Sequence, residues 1–485
     1  MKIKVENLGP VKKAELELGD LTIICGLNNT GKTYVTYAFY GFLHFWNRFD
    51  NELISKKDIK ELIINGQLII DLASFKKNVQ KTVNRVCKNY GREMYSFFSS
   101  NHNRFADTIF NLIIDENEVT VPDLIEERID VFNGWITIKK LKGSNTISLI
   151  YQRIDEKDNK FNNQIDYLGF IGYVVSDFFK EQLFSSLFPR SFIASAERTG
   201  ASIFRTELVL LRQRKLRDIK RKMELRARRQ LKSGVVRPDK LSLFSDASEQ
   251  FFESIKDYSL PIETNLRFME NISKFENKEG QLSTKHSDVI KAFNDIIQGE
   301  VSFIDSNEPF FVPDSNKNIK LSMDESSSSI RALLDLGFYL KKIANDNDII
   351  IIDEPEMNLH PQNQRKFARL LARLVNIGVK VFITTHSDYI IKEFNTLIML
   401  NKKDERLKRV AKKYGFQASE LLDSKKIRLY IAETVQATTD SNAQHEKYST
   451  LTRAKISPET GIEASTFDTT IEEMNSIEGE IIWGD

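Results

Sequence analysis

Two groups of residues could handle a phosphoanhydride. The first is Gly26-Leu27-Asn28-Asn29-Thr30-Gly31-Lys32-Thr33, which fits G-x-x-x-x-G-K-[ST]. Its glycines allow a tight turn, so successive backbone N–H groups point inward at phosphate oxygens. Lys32 would reach the β- and γ-phosphates of a nucleotide such as ATP, and the Thr33 hydroxyl would ligate Mg²⁺. The second group is Asp353-Glu354, which follows four isoleucines. Asp353 would hold Mg²⁺ directly or through water. Glu354 would orient and deprotonate the attacking water. His386 ends a third apolar run and could donate to the γ-phosphate.

Such groups need rigid supports. Leu21-Thr22-Ile23-Ile24-Cys25 is short and β-branched and reads as a buried strand. Residues 34–46 are apolar enough for a buried helix, whose N-terminus favours anions. Ile349-Ile350-Ile351-Ile352 has the composition of a central strand covered on both faces. Ser326-Ser327-Ser328-Ser329 lead into an amphipathic helix over 330–343 and offer hydroxyl and N–H groups to an anion. His360-Pro361 opens a helix over 362–374, with His360 read as a turn or capping residue. Residues 379–387 form another buried strand, ending in Thr384-Thr385-His386-Ser387. Ile3/Val5 and Ala14/Leu16/Leu18 alternate as strands.

The chain between these motifs carries no catalytic pattern. Residues 52–64 and 70–87 look helical, and 135–140 with 146–153 look like a hairpin. Ser191 to Gly200 resembles a strand returning to the sheet with Arg198 at its carboxyl end. Arg198 there faces the nucleotide or makes an ordinary ion pair. From 211 to 232 there are eleven Lys/Arg against Asp218 and Glu224, on a helical apolar stripe. This basic arm is a phosphate-tracking surface for DNA or RNA, a dock for an acidic partner, or a solvated helix face. Further on, 396–400 reads as a last core strand, 404–414 as a basic helix, 426–432 as a strand and 469–476 as a helix.

Composition narrows the class. The chain has 485 residues, 41% hydrophobic and 28% charged, with net charge +2, so no global field argues for nucleic acid. Cys25 and Cys87 make no disulfide framework. No apolar run approaches the roughly 20 residues needed to span a bilayer, so no membrane association is expected. The start alternates like a strand and lacks a signal-peptide core, which points to a cytoplasmic protein.

Together, Gly26–Thr33, Ser326–Ser329, Asp353-Glu354, Asn358-Leu359-His360-Pro361 and His386 resemble the Walker A, signature, Walker B, D-loop and H-loop of AAA-family ATPases of the ABC type. Asp353-Glu354-Pro355-Glu356 followed by Leu359-His360-Pro361 resembles stand-alone heads: structural-maintenance-of-chromosomes (SMC) proteins, RecF and overcoming-lysogenisation-defect ATPases. The compact size looks like the anti-phage ATPases of Septu, retron and PARIS systems. The resemblance implies an α/β fold, an ABC-type P-loop head with a mixed sheet, from residues 1–48 and 301–400. It implies a long, mainly helical insertion over 49–300 with a basic arm at 205–234, and a small α/β region over 401–485. It implies ATP and Mg²⁺ as cofactors. Glu354, His386 and Lys32 would be catalytic; Gly26, Asn28, Asn29, Thr30, Gly31, Lys32, Thr33 and Ser326, Ser327, Ser328 and Ser329 would bind nucleotide; Thr33 and Asp353 would hold the metal. In such families two heads sandwich two nucleotides, which implies a homodimer or larger even-numbered assembly. A separate HNH or Toprim nuclease or toxin would be the effector, because residues 387–485 contain no Asp-x-Asp pair and no His/Asn/His cluster. A DNA-repair or chromosome-associated clamp is the alternative. Ser328-Ser329 stand where the signature usually has a glycine, and no Gln marks a Q-loop, for which Ser191 to Gly200 is the nearest segment.

Overall fold

The computed structural model describes residues 1–48, 53–131, 134–154, 167–204, 258–304, 308–438 and 445–463, with single positions at 207, 210, 211, 214, 217, 221 and 476. The chain opens with β1 (Lys2–Leu8), β2 (Val11–Glu17), β3 (Leu21–Gly26), the phosphate loop and α1 (Lys32–Arg48). Next come α2 (Lys56–Asn65), β4 (Gln67–Asp71), α3 (Leu72–Phe97), β5 (Ile109–Ile113), β6 (Ile125–Val131), β7 (Gly134–Lys140), β8 (Thr146–Arg153) and α4 (Tyr167–Phe184). After β9 (Ser191–Ala194) and α5 (Arg198–Ile203) lie α6 (Leu260–Glu270), α7 (Gln281–Lys285), α8 (Ser287–Ile297), β10 (Gly299–Ile304), β11 (Glu308–Pro313) and β12 (Leu321–Ser322). The last part holds α9 (Ser328–Lys342), β13 (Ile349–Asp353), α10 (Pro361–Asn376), β14 (Lys380–Thr385), α11 (Asp388–Leu400) and α12 (Glu405–Lys413). It ends with β15 (Ile427–Thr438), β16 (His445–Arg453), β17 (Lys455–Ser457) and β18 (Gly461–Glu463).

Nine strands form one mixed sheet in the order β5-β1-β2-β16-β15-β3-β14-β13-β9. The half from β15 to β9 is parallel throughout. The four isoleucines suit β13, which lies in this half between β14 and β9. Ile349 and Ile351 enter the core on one face, and Ile350 and Ile352 the core on the other. A strand covered on both faces needs apolar side chains at every position. Helix α1 packs on the first face, where Phe39 meets Phe382 of β14 and Phe42, Phe45 and Trp46 meet Tyr90, Phe97, Phe110, Phe184 and Phe188. Apolar residues of α10 and α11 fill the second face.

The sheet therefore joins distant parts of the chain. Strands β3 and β13 are separated only by β14, which pairs with both in parallel. The segment expected as a small C-terminal region supplies β15 and β16 to the middle of the sheet, between β3 and β2. The segment between the two motif groups contains long helices and also a four-stranded antiparallel sheet, β4-β8-β7-β6, built around the expected hairpin.

One strand expectation is corrected. Residues 396–400 are the end of helix α11. The Ser387 hydroxyl caps this helix by accepting from Ile390 N–H, and Ile390, Phe394, Leu397 and Ile398 follow at helical spacing into the core. Capping and one buried stripe outweigh the strand preference of a short apolar run. The start of the expected helix 70–87 is also strand: Ile70 and Asp71 belong to β4, and the Asp71 carboxylate caps α3 by accepting from Ser74 N–H at 2.9 Å. Of the basic arm, the described positions Arg214, Arg217 and Arg221 are helical and exposed; residues 222–257 lie outside the described residues. So does all of the expected helix 469–476 except Ser476.

Candidate active site

The carboxyl ends of the parallel strands converge, which is where open α/β sheets bind ligands. Strand β3 ends at Gly26, β13 at Asp353 and β14 at Thr385, with Asp353 in register with Thr384 and Thr385 with Cys25. Ser195 to Arg198 follow β9 in the same layer.

The phosphate loop is shaped by its glycines. Gly26 has φ +131° and Gly31 φ +93°, backbone regions that other residues rarely adopt. A Cβ on Gly26 would collide with the Ala432 carbonyl of neighbouring strand β15. Asn29 also has positive φ, at 62°. Leu27, Asn28 and Asn29 are exposed, whereas Thr30 is buried and donates to Leu27 O at 2.8 Å. Lys32 is 5% exposed and donates to Gly26 O at 3.2 Å and Leu27 O at 2.7 Å, inside its own loop. Burial lowers its pKa, and the Glu354 and Asp353 charges oppose that.

Asp353 is fully buried. Its Oδ1 accepts from the Thr33 hydroxyl at 3.5 Å and from the Thr384 hydroxyl, while its Oδ2 has no hydrogen-bond partner among the described residues. Burial pushes the carboxyl up to about 6, and the charge of Glu354 adds to the shift. A buried carboxylate with one oxygen orphaned and the other facing a threonine hydroxyl suits a hard divalent cation. The residues present therefore fit the expected Mg²⁺.

Glu354 has φ +53°, an uncommon conformation for this residue. Its N–H donates to the backbone carbonyl and the hydroxyl of Thr384, at 3.2 and 3.1 Å. Its carboxylate lies 3.5 Å from His386 Nε2 and is about a third exposed. Hydrogen bonding to His386 holds its pKa below the usual carboxylate range, against the raising effect of burial. Glu354 therefore stays ionised, at the cost of some basicity.

The structure resolves the two readings of Arg198 against both. Arg198 is 3% exposed and donates to four carbonyls: Ala332 O (2.8 Å), Ser195 O (2.9 Å), Asp353 O (2.7 Å) and Glu354 O (2.8 Å). It faces the backbone behind the acid pair. Its neighbour Glu197 is exposed and accepts from Tyr37 OH at 3.1 Å.

Several further residues brace the site. Glu356 accepts from His386 N–H at 2.5 Å and from the Thr385 hydroxyl at 2.9 Å, and burial raises its pKa. It fixes the turn that aims His386. Thr384 bonds both Asp353 and Glu354. Its only clue was its place at a strand end. His360 behaves as the cap expected of it, its Nδ1 accepting from Gln362 N–H at 3.3 Å. Asn358, φ +60°, donates to the Thr199 hydroxyl at 3.2 Å.

The serine tract lies at the N-terminus of α9. Ser326 is buried and its hydroxyl donates to Ser322 O at 2.7 Å, so it serves the loop's own packing. Ser327 and Ser328 are exposed, and Ser327 occupies the N-cap without a side-chain capping bond. Its hydroxyl and that of Ser329 lie 2.7 Å apart. Among the described residues, no hydrogen bond joins Ser326–Ser329 to Gly26–Thr33 of the same chain.

A family model described as an AAA ATPase domain matches residues 1–391, which include both motif groups. The chain belongs to the AAA ATPase domain family. It is an ATPase by that membership, with the phosphate loop and the acid pair in one layer. Three solved structures are similar over most of their length. The SMC head domain with an extended coiled coil bound to the C-terminal domain of ScpA, from Pyrococcus furiosus, has a TM-score of 0.30 at 13% identity, covering 98% of this chain and 98% of that one. The SMC head domain from Thermotoga maritima has a TM-score of 0.30 at 10% identity, covering 94% and 98%. An SMC head bound to the C-terminal winged-helix domain of ScpA has a TM-score of 0.31 at 12% identity, covering 92% and 97%. Superpositions this loose place no individual residue. No curated protein matches the sequence. Among the described residues, no helix is long and apolar enough to cross a membrane.

Proposed function

We propose that this AAA ATPase binds ATP with Mg²⁺ and hydrolyses it in a pocket completed by a second copy. In this reading the loop from Gly26 to Thr33 holds the phosphates. Thr33 and Asp353 hold the cation, which supplies charge neutralisation at the phosphates. Glu354 orients the attacking water and takes its proton, and His386 steadies Glu354 beside the γ-phosphate position. Ser327, Ser328 and Ser329 of one chain reach the nucleotide of the other. The observation that carries the reading is that Thr33 meets the buried, half-satisfied carboxylate of Asp353 while the next residue, Glu354, pairs with His386. Turnover by the wild type with Mg²⁺, lost in Glu354→Gln while ATP still binds, is the expected result. Equal turnover in the variant would sink the catalytic assignment.

We further propose that the ATPase belongs to an anti-phage system and controls a separate nuclease or toxin. The compact head without effector chemistry, including the lack of an Asp-x-Asp pair in residues 387–485, supports this. Co-purification from the native host, with phage challenge of a deletion strain, tests it. No effector and no phage phenotype would remove the reading.

One observation favours the clamp alternative. Helix α3 carries Lys77, Lys81, Lys88 and Arg92 at helical spacing, with Glu93 as its one acid. Beside it runs an open groove of about 920 Å³ whose lining includes Lys4, Lys88, Arg92 and His102 and, among the described residues, no carboxylate. Such a surface suits a phosphate backbone. Salt-sensitive DNA binding lost on charge reversal of Lys88 and Arg92 would favour the clamp.

A further inference from the structure

We infer that Arg198 is a positioning residue that ties the serine-bearing helix α9 to the backbone of Glu354, so that seating α9 against a second copy sets the glutamate's geometry in its own chain. The inference rests on the proposed role of Glu354 and on the sandwich reading.

The linkage is built from named bonds. Arg198 Nε donates to Ala332 O, in the second turn of α9, and its Nη atoms donate to Asp353 O and Glu354 O. One guanidinium thus spans the helix and the acid pair. Five N–H donors in a fixed fork transmit displacement better than a flexible ammonium could.

Two side chains bear on this turn of α9: Leu336 N–H donates to the Asp335 carboxylate at 2.7 Å, and Ala332 O receives Arg198. Asp335 is 3% exposed and on the same face of α9 as Ala332, one turn on. Its charge opposes the desolvation of Arg198. Asn265 of α6 extends the network: it donates to Asp335 at 3.4 Å and to Ile193 O at 2.5 Å, and accepts from Ser195 N–H at 2.9 Å. The end of β9 is thereby fixed to the same helix.

Glu354 is the element such a linkage can move. Its φ of +53° is held by its surroundings rather than by preference. Thr384 grips its N–H and Arg198 its carbonyl. The exposed serines sit at the N-terminus of α9, about one turn before Ala332 and in the same helix as Asp335. A shift of α9 on engaging a nucleotide passes through Arg198 to the glutamate's peptide.

Arg198→Lys tests this in the full-length protein. Lysine keeps the charge and loses the fork. Expected are unchanged KM and unchanged affinity for a fluorescent ATP analogue, with kcat down about tenfold to a hundredfold, the loss typical of a small misplacement in an active site. The rate is expected to be sigmoidal in ATP for the wild type and hyperbolic for Arg198→Lys. An unchanged kcat, a hyperbolic wild-type curve, or kcat and affinity falling together as for a purely structural defect would each overturn the inference. Asp335→Asn keeps all four carbonyl bonds available and removes the opposing charge; it decides the matter if Arg198→Lys does not fold, with the same split expected and an unchanged kcat overturning. Glu354→Gln is run alongside: turnover retained there fails the parent reading, whereas an inert Arg198→Lys fails this linkage alone.

Discussion

The hydroxyl of Thr33 lies 3.5 Å from the carboxylate of Asp353, across 320 positions of sequence. Each residue sits just beyond or at the end of a parallel strand, and only β14 separates the two strands. The chain between them must leave the sheet and return in register for the pair to meet. That closure, more than either motif, makes the site.

Gly26→Ala should abolish nucleotide binding and destabilise the fold. The residue holds φ +131°, and an added methyl meets the Ala432 carbonyl, which belongs to a strand that cannot retreat. Strain of this kind costs about 1–3 kcal/mol before the clash is counted. Thermal unfolding and titration with a fluorescent ATP analogue measure both effects.

Metal-dependent ATP binding should strengthen as pH rises. Asp353 has its carboxyl pushed up to about 6 from 3.8, mainly by burial. Below that value the folded protein keeps a proton there and a cation must displace it. Affinity for ATP with Mg²⁺ should rise between about pH 5 and pH 7 and then level. The stability of the nucleotide-free protein carries the opposite sign. Between 3.8 and about 6 the folded state retains a proton that the unfolded chain has released, so this group's contribution falls as pH rises. Asp335 is pushed up to about 6 as well and adds the same trend. Isothermal titration across this range, repeated with Asp353→Asn, checks the assignment; a flat profile in the wild type contradicts it.

Glu356→Ala should lower kcat with a smaller effect on ATP affinity. The carboxylate holds His386 N–H and the Thr385 hydroxyl, and His386 in turn holds Glu354. Removing it leaves a largely buried N–H without its acceptor, at about 1–3 kcal/mol of stability. Urea denaturation and steady-state turnover separate the two losses.

What could be read without coordinates followed physical strictness. Four adjacent isoleucines have few homes other than a strand covered on both faces, and a G-x-x-x-x-G-K-T run between strand and helix has one common use. Arg198 was visible only as a charge near a strand end. Its four acceptors are backbone carbonyls, which leave no mark in residue types. Glu356 was visible as a motif member but its role was not, and Thr384 only as a strand end, because their work is to brace neighbours. The strand expected at 396–400 failed because a cap at Ser387 and a buried stripe beginning at Ile390 lie upstream of the window that suggested it. The placing of β15 and β16 between β3 and β2 is a matter of long-range pairing, on which local pattern is silent.

Light scattering of Glu354→Gln with and without ATP and Mg²⁺ tests the central claim most directly. The account predicts that ATP drives this variant into a stable association of even copy number. Adding Ser328→Arg to the same chain should abolish the association while leaving ATP bound. A mass that does not change with ATP, or an association indifferent to Ser328, would contradict a pocket shared between two copies.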